Sequence, residues 1–283
     1  MIPSEKQFAT YVKKMTAALV VIIAAFCARI EGAEIHNAAE LGDLEMVKAC
    51  LVKDAKQINA TDAKGRTVLA CGVLSGKKEI VEFLLEKGAT EDIFSAAIAG
   101  HTNKVGAFLK QDNKLVNTKD SSGKGALHWG ALHGQKQVVE LLLAEKADVN
   151  LLDADGFTAL HWAVMFDKQE AAQVLVKNKA DTSVKVAKFG WTPLRLAVIH
   201  GHKATAEVLL KGGADPNMPD AENIPLLHQA VINGKKEIIE LLLANRCDIN
   251  KKDAEGETPL GEAIEQGNKE IIDFLRQRGA KER

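Results

Sequence analysis

The chain has 283 residues, of which 46% are hydrophobic and 27% are charged, and its formal net charge at pH 7 is -1. This composition excludes an intrinsically disordered chain. The near-neutral balance argues against nucleic acid as the main partner, because binding to phosphate groups relies on a clustered positive surface.

The first element is an apolar run from residue 15 to residue 28, which follows Lys6, Lys13 and Lys14. Its fourteen residues are few for a helix that crosses a bilayer, but their number suits the apolar region of a secretory signal peptide. We therefore expect residues 1–32 to be an export signal. Residues 33–283 would then be exported to the periplasm or secreted.

The processing of this segment has several interpretations. Small residues allow cleavage after Cys27, with Ala25 two positions before it, or after Gly32. Alternatively, the segment stays uncleaved and anchors the chain in a membrane, so that the rest faces away from the cytoplasm. A lipoprotein signal at Cys27 is disfavoured, because the preceding residue is Phe26 where a small residue is needed.

From Gly42 onward the sequence repeats itself with a period of about 33 residues. The intervals between equivalent positions are 33 or 34 residues, except for one interval of 24 between Gly76 and Gly100. A fixed period of this length is typical of a stacked-repeat architecture. The equivalent positions are Gly42, Gly76, Gly100, Gly134, Asp167, Gly201, Gly234 and Gly267.

Each copy has the sequence signals of two helices. Thr followed by Pro favours a helix start, since the hydroxyl can cap free N–H groups and Pro fits the first helical position. Gly at the next turn, as at Gly134 or Gly201, permits the left-handed conformation that ends a helix. The apolar side chains that follow at 138, 139 and 141–143 are too many for an exposed helix, so neighbouring copies must cover them.

Three segments carry a family resemblance: 156–163 (GFTALHWA), 190–197 (GWTPLRLA) and 256–263 (GETPLGEA). All three resemble the ankyrin pattern G-x-T-P-L-H-x-A. The segments 138–143 (VVELLL) and 237–243 (EIIELLL) are similar to the outer helix of that family, and ADVN, ADPN and CDIN at 147–150, 214–217 and 247–250 are similar to its closing turn.

The resemblance implies an all-α fold, an ankyrin-repeat solenoid of about eight helix-turn-helix repeats with short β-hairpin fingers. It covers about residues 34–280 and implies a single ankyrin domain over 33–283. We place the copies at 34–61, 62–90, 91–119, 120–152, 153–184, 185–219, 220–252 and 253–283.

Three copies depart from the pattern. The first lacks Thr-Pro and a preceding finger, as expected of an end unit, and the eighth closes with basic residues that suit a cap. In the third copy about nine residues are missing, which is the length of a finger. We expect both of its helices to form without a finger.

Cysteines and histidines are interpreted as structural. Cys50, Cys71 and Cys247 are expected to be buried, and only Cys50 and Cys71 are near enough to pair, so a disulfide between these two stays open. Four histidines fall at one position of the unit and lie whole repeats apart, so they cannot converge on one metal ion. We interpret them as a ladder that binds loops between copies; they are His36, His128, His161 and His228.

No nucleophile elbow, phosphate-binding loop or HExxH motif occurs, so no catalytic or metal-ligating residue and no cofactor is predicted.

In the ankyrin unit, the fingertips and the ends of the inner helices line a concave groove. The resemblance therefore implies fingertip residues that include Arg66, Lys124 and Glu257. Aromatic and apolar side chains concentrate on copies five to seven, and exposed apolar patches of this size indicate contact with another molecule, which we expect in the groove of copies four to seven. The predicted contact residues are Leu132, His133, Phe157, Met165, Phe166, Phe189, Trp191, Ile199, His200, Ile224 and Ile232.

We expect a non-catalytic scaffold that holds a protein or peptide on this groove, with no nucleic acid and no small-molecule cofactor. A second interpretation is a structural subunit of a membrane-associated complex, held by an uncleaved N-terminal helix, which would be its only membrane contact. A third is an enzyme with a site near the shortened third copy, although the apolar sequence IFSA at 93–96 offers no acid–base pair there.

Overall fold

A computed structural model describes residues 34–63, 65–120 and 122–282. The chain divides into two compact units, Met1–Thr90 and Glu91–Arg283, which we name the N-terminal unit and the C-terminal unit. The apolar run at 15–28, for which an export signal is predicted, lies outside the described residues. In the described part of the chain, every helix is too short or too polar to cross a membrane.

The N-terminal unit contains two helical pairs. Helix α1 (Glu34–Leu41) precedes α2 (Leu44–Lys53), and α3 (Val68–Leu74) precedes α4 (Lys78–Glu86), while a 3-10 helix (Ala55–Asn59) follows α2. The inner helices α1 and α3 pack against each other, and each also packs against the outer helix of its own pair. The core of this unit includes Ile35, Val47, Val68, Leu69, Ile80 and Leu84.

The C-terminal unit contains six further pairs in the same order, with a 3-10 helix (Asn113–Asn117) after the first pair. The pairs are α5 (Ile93–Ala99) and α6 (Thr102–Gln111), α7 (Ala126–Leu132) and α8 (Lys136–Ala144), α9 (Ala159–Met165) and α10 (Gln169–Lys177), α11 (Pro193–His200) and α12 (Lys203–Lys211), α13 (Leu226–Ile232) and α14 (Lys236–Ala244), and α15 (Pro259–Glu265) and α16 (Lys269–Gln277). The described residues therefore form an all-helical array with the predicted pairing.

The threonines of the repeated motif begin the inner helices. The side chains of Thr158, Thr192 and Thr258 each accept a hydrogen bond from the backbone N–H three residues later. Pro193 and Pro259 occupy the first helical position, where the missing N–H has no intrahelical partner to lose. The predicted helix starts are confirmed at these positions.

The position that ends an inner helix requires a left-handed backbone. Gly201 has φ of 78°, a conformation that costs glycine little because it lacks a Cβ atom. In the fifth copy Asp167 takes this position with φ of 51°. Its carboxylate accepts a 2.6 Å hydrogen bond from the Thr205 hydroxyl of the next copy, so the aspartate links two copies as well as ending a helix.

Outer helices are covered by their neighbours. Helix α8 packs against α6 and α10, and its Val138, Val139 and Leu142 are buried. Leu141 and Leu143 are half-buried at the edges of the same contact. The expectation that adjacent copies cover this apolar face is confirmed.

The fingers are tight turns rather than strand pairs. Asp153 shows the pattern, since its carboxylate accepts hydrogen bonds from the backbone N–H groups of Asp155 and Phe157 at 3.0 and 2.9 Å. Equivalent aspartates close the turns at Asp62, Asp120, Asp220 and Asp253. Within residues 34–63, 65–120 and 122–282 the β-pairing is limited to two isolated bridges, Thr61 with Thr67 and Val186 with Trp191.

The third copy has both helices and no finger. Helix α4 ends at Glu86 and α5 begins at Ile93, which leaves room for a short turn. Asp92 begins α5 as a capping box: its carboxylate accepts from the Ser95 N–H, and the Ser95 hydroxyl accepts from the Asp92 N–H. A local cap therefore starts this helix, without the Thr-Pro pair that begins the inner helices of copies six and eight.

Candidate partner-binding surface

The eleven residues predicted to contact a partner all lie in the C-terminal unit, at two kinds of position. One group lies at the C-terminal ends of the inner helices and consists of Leu132, His133, Met165, Phe166, Ile199, His200 and Ile232. The other lies in the fingers before α9, α11 and α13 and consists of Phe157, Phe189, Trp191 and Ile224.

Three of these residues are buried, so the prediction that they face solvent is wrong. Leu132 is 3% exposed, Phe157 is 5% exposed and Trp191 is 8% exposed. Phe157 packs against the Trp162 ring, with centroids 5.3 Å apart. Trp191 pairs with Val186 in a β-bridge. Phe157 and Trp191 therefore pack against residues of their own copies.

Two further fingertip residues, Arg66 and Lys124, are also buried rather than exposed. The Arg66 guanidinium donates two hydrogen bonds to Glu40 and one to Asp62, at 2.8 to 3.0 Å. Arg66 forms ion pairs with Glu40 and Asp62, and Lys124 forms one with Asp153. These ion pairs explain why the two basic side chains are buried.

Lys124 lies between two tryptophans. Its Nζ atom is 5.7 Å from the Trp129 ring centroid and 4.6 Å from that of Trp162 in the next copy, and 3.5 Å from Asp153 Oδ2. Each tryptophan donates its indole N–H to a finger aspartate, Trp162 to Asp153 and Trp129 to Asp120. These tryptophans are packing residues, as expected.

Phe166 remains the most open member of the predicted set, with 39% of its surface exposed. Its ring stacks on Trp162, with centroids 6.2 Å apart and planes at 19°. Phe189, in the next finger, is half-buried and stacks on Trp191 with centroids 4.6 Å apart. A buried tryptophan thus supports an accessible phenylalanine in two successive copies.

Three half-buried apolar side chains continue along the inner helices. Met165, Ile199 and Ile232 occupy the same position of the unit in copies five, six and seven, and we name them the apolar row. Helices α9, α11, α13 and α15 pack in that order, which places the three side chains at successive levels. At the equivalent position of copy eight stands Glu265, which is exposed.

The histidines at the edge of this surface are neutral near pH 7. Burial, and then the charge of Lys168, lower the pKa of His133 to about 4. Burial also lowers the pKa of His200, as does the neighbouring His202, whose ring stacks on it with centroids 5.4 Å apart. Both rings are therefore uncharged near neutral pH.

The histidine ladder is confirmed for His36, His128 and His228, whereas the Nε2 atom of His161 is buried without a hydrogen-bond partner among the described residues. His36 Nε2 bonds to the Ala60 carbonyl at 3.0 Å, His128 Nε2 to the Leu151 carbonyl at 2.9 Å, and His228 Nε2 to the Glu257 carbonyl at 3.0 Å. Each bond joins an inner helix to the segment that leads into, or belongs to, the finger of the following copy. These rings hold the array together, and in the described residues no group of three metal-ligating side chains converges.

In copy six an arginine replaces the histidine of the ladder. Arg195 is buried and donates to the Ile224 carbonyl, and its guanidinium lies 3.1 Å from Asp220 Oδ2. Both partners belong to the finger of copy seven. The contact between the inner helix of copy six and the finger of copy seven is therefore made by a permanently charged side chain.

Carboxylates gather at the far end of the surface, in copy eight. Burial raises the pKa of Glu262, the hydrogen bond from Gln266 acts against this, and the charges of Glu265, Asp253 and Glu257 raise it further. Glu255 is exposed in the same finger. We name Glu255, Glu257, Glu262 and Glu265 the acidic end.

The three described cysteines, Cys50, Cys71 and Cys247, are buried thiols. Burial raises the pKa of Cys247 to about 12, so its thiol stays protonated. The expectation of buried small residues is confirmed at these positions.

Comparison with known proteins agrees with the fold. A model of ankyrin repeats in three copies matches residues 93–153, 138–220 and 213–282, and a second ankyrin-repeat model matches residues 35–85. The chain is 29% identical over 113 residues to the ankyrin repeat domain-containing protein SAT10 of Stachybotrys chartarum, covering 38% of this chain and 6% of that protein. It is 33% identical over 125 residues to the ankyrin repeat-containing protein ITN1 of Arabidopsis thaliana, covering 40% of this chain and 19% of that protein.

The aligned part is thus a small fraction of these two curated relatives, and the likeness concerns their repeats. Ankyrin repeats are in general non-catalytic modules for protein interaction. Together the family models cover most of the described residues, and the chain belongs to the ankyrin repeat family.

Proposed function

We propose that the chain is a non-catalytic scaffold that holds a protein or peptide on the surface of copies four to seven. The observation that carries this proposal is the open ring of Phe166, which is stacked on buried Trp162 and continues into the apolar row. Large aromatic side chains on a rigid support are the groups that most often dominate protein contacts. Leu132, Phe157 and Trp191 support the surface from beneath rather than touch the partner.

Binding rather than catalysis is favoured by the state of the polar groups on this surface. His133 and His200 are neutral near pH 7, and burial keeps the pKa of His133 near 4, too low for a base that works at neutral pH. The ladder histidines hold backbone carbonyls. The near-neutral net charge of the chain favours a protein over a nucleic acid as the partner.

We also propose that the scaffold works outside the cytoplasm, on the strength of the apolar run at 15–28 behind three lysines. Cleavage after Cys27 or Gly32 would release it, whereas an uncleaved segment would hold it at a membrane as part of a complex. Measurement of the intact mass of the exported chain separates these outcomes. Loss of about 3 kDa indicates cleavage of a signal of this length, and an undiminished mass in the membrane fraction indicates an anchor.

The binding proposal is tested by capture of partners on the immobilised chain, with the bound proteins identified by mass spectrometry. Phe166→Ala removes the open ring, and Leu85→Ala removes an apolar side chain of the same 39% exposure from outer helix α4. We expect Phe166→Ala to weaken binding of the captured partner by about 2 kcal/mol, roughly thirtyfold in Kd. Equal binding by the two variants would show that this surface is not the binding site.

A further inference from the structure

The apolar row ends in a carboxylate. Met165, Ile199 and Ile232 stand at one position of three successive copies, and Glu265 stands at that position in the fourth. The helices that carry them pack side by side in the same order. A molecule lying along the row therefore meets three apolar side chains and then a negative charge.

The acidic end has no cation of its own among the described residues. Across residues 34–63, 65–120 and 122–282, the ion pairs that involve copy eight join Lys236 of copy seven with Glu270, and Arg276 with Glu282, and none involves the four glutamates of the acidic end. The finger and helix α15 bring three of these carboxylates close together, since the charges of Glu265 and Glu257 add to burial in raising the pKa of Glu262. A positive group from a partner would relieve this repulsion.

The distance between successive side chains of the apolar row determines the spacing of the partner side chains that can contact them. Packed helices lie about 10 Å apart, so the path from Met165 to Glu265 covers three steps and about 30 Å. A polyproline-type chain rises about 3.1 Å per residue and has three residues per turn, so one turn spans about one step. Every third side chain of such a chain points to the same face, whereas residues three apart in a β-strand point to opposite faces.

We propose that this surface takes an extended peptide segment with apolar side chains at three positions spaced three residues apart and a lysine or arginine three residues beyond the last. The apolar side chains lie on Met165, Ile199 and Ile232, and the basic group lies at Glu265 and Glu257. This inference rests on the proposed function and assigns a chemical class to its partner. The charge at the end of the row fixes the register of the segment.

Selection of random displayed peptides of about twelve residues on the immobilised full chain tests the pattern, because that length spans the row in extended form. We expect the enriched sequences to share three apolar positions and one basic position with this spacing. A consensus that is neutral or acidic at the basic position, or the absence of a consensus, would overturn the proposal.

Charge-neutral variants then locate the basic group. We expect the double change Glu257→Gln and Glu265→Gln to weaken binding of the selected peptide about tenfold, and to have no effect on a peptide in which glutamine replaces the basic residue. The matched control is Glu237→Gln with Glu240→Gln on outer helix α14, which removes the same charge elsewhere. Equal affinities for the two double variants contradict the assignment.

The variant Phe166→Ala tests the binding surface separately from the basic residue of the peptide. If it abolishes peptide binding while the acidic-end variants bind like the parent chain, the surface is correct and the basic partner is wrong. If Phe166→Ala also binds like the parent chain, the proposed function itself fails at this surface.

Discussion

The ammonium group of Lys124, a residue that is only 7% exposed, lies 4.6 Å from the centre of the Trp162 ring in the following copy. The same group is 3.5 Å from Asp153 Oδ2, and Oδ1 of this carboxylate accepts the backbone hydrogen bonds that hold the finger of copy five. One buried cation thus joins the fingers of two copies through an aromatic face and a carboxylate.

Replacement of Lys124 by methionine leaves Asp153 buried without its cation. We expect Lys124→Met to lower the free energy of unfolding by about 3 kcal/mol, as is usual when one member of a buried ion pair is removed. Urea denaturation followed by circular dichroism measures the change, with the exposed neighbour Lys119→Met as the control. An unfolding midpoint equal to that of the control would show that the buried charge does not stabilise the junction.

Acid should destabilise the C-terminal unit through its histidine ladder. Burial lowers the pKa of His161 from 6.5 to about 4, with the backbone of Trp191 and Val184 acting in the opposite direction. Since the folded pKa is the lower one, the unfolded chain binds the proton more readily. The stability that this histidine contributes is fully present above pH 6.5 and is lost as the pH falls towards 4.

We expect the free energy of unfolding to fall by about 2 kcal/mol between about pH 7 and about pH 5 because of His161 alone. The variant His161→Gln removes this titration, so its stability should be lower near pH 7 but decline less on acidification. Chemical denaturation of both chains across this range gives the two slopes. Parallel slopes would mean that His161 is not protonated on unfolding in this range.

A second ladder, of asparagines, ties the closing turns. Asn150 Oδ1 accepts from the Asp181 N–H at 2.8 Å, and Asn59, Asn117, Asn217 and Asn250 make the equivalent bond to the following copy. In copy five the position is occupied by Ser183, whose shorter side chain bonds back to Asp181 at 2.6 Å.

We expect Asn150→Ser to cost about 1 kcal/mol and Ser183→Asn to add a similar amount, since one intramolecular hydrogen bond is exchanged in each case. Thermal unfolding of the two single variants and of the parent chain measures both effects, with opposite signs. If the unfolding temperatures of both variants shift in the same direction, positions 150 and 183 are not equivalent.

The thiol of Cys247 should be inert in the folded chain. Burial raises its pKa to about 12, and the thiolate is the reactive form. Treatment with iodoacetamide near neutral pH, followed by peptide mapping, should leave Cys247 unmodified until denaturant is added. Rapid labelling of the native protein would show that the Cys247 thiol is accessible to solvent and contradict its burial.

The sequence pattern predicted the fold well, because each helix start, helix end and apolar stripe recurs in several copies. Thr158, Gly201 and Val138 each take the structure that their position in the unit implies. The histidine ladder followed for the same reason at His36, His128 and His228, whereas His161 shows that a repeated position does not by itself produce the bond.

Exposure was harder to predict, because position in the unit does not determine what covers a side chain. Phe157 and Phe166 are both aromatic residues of copy five, yet Phe157 packs inside its finger and Phe166 remains open. Lys124 was placed at a fingertip, but an acid and two tryptophans from separate parts of the sequence draw it inward. Such contacts depend on pairs of neighbouring copies, and a pattern averaged over copies does not contain them.

The arginine in the ladder has a consequence for how the array comes apart. Junctions closed by His128 or His228 contain an imidazole whose pKa is lowered by burial, so protonation of the ring destabilises them, whereas Arg195 keeps its charge and its ion pair with Asp220 until that carboxylate is itself neutralised. In mild acid we therefore expect copies six and seven to separate last. A single substitution in one motif would then determine which fragment of the scaffold survives longest in an acidic environment.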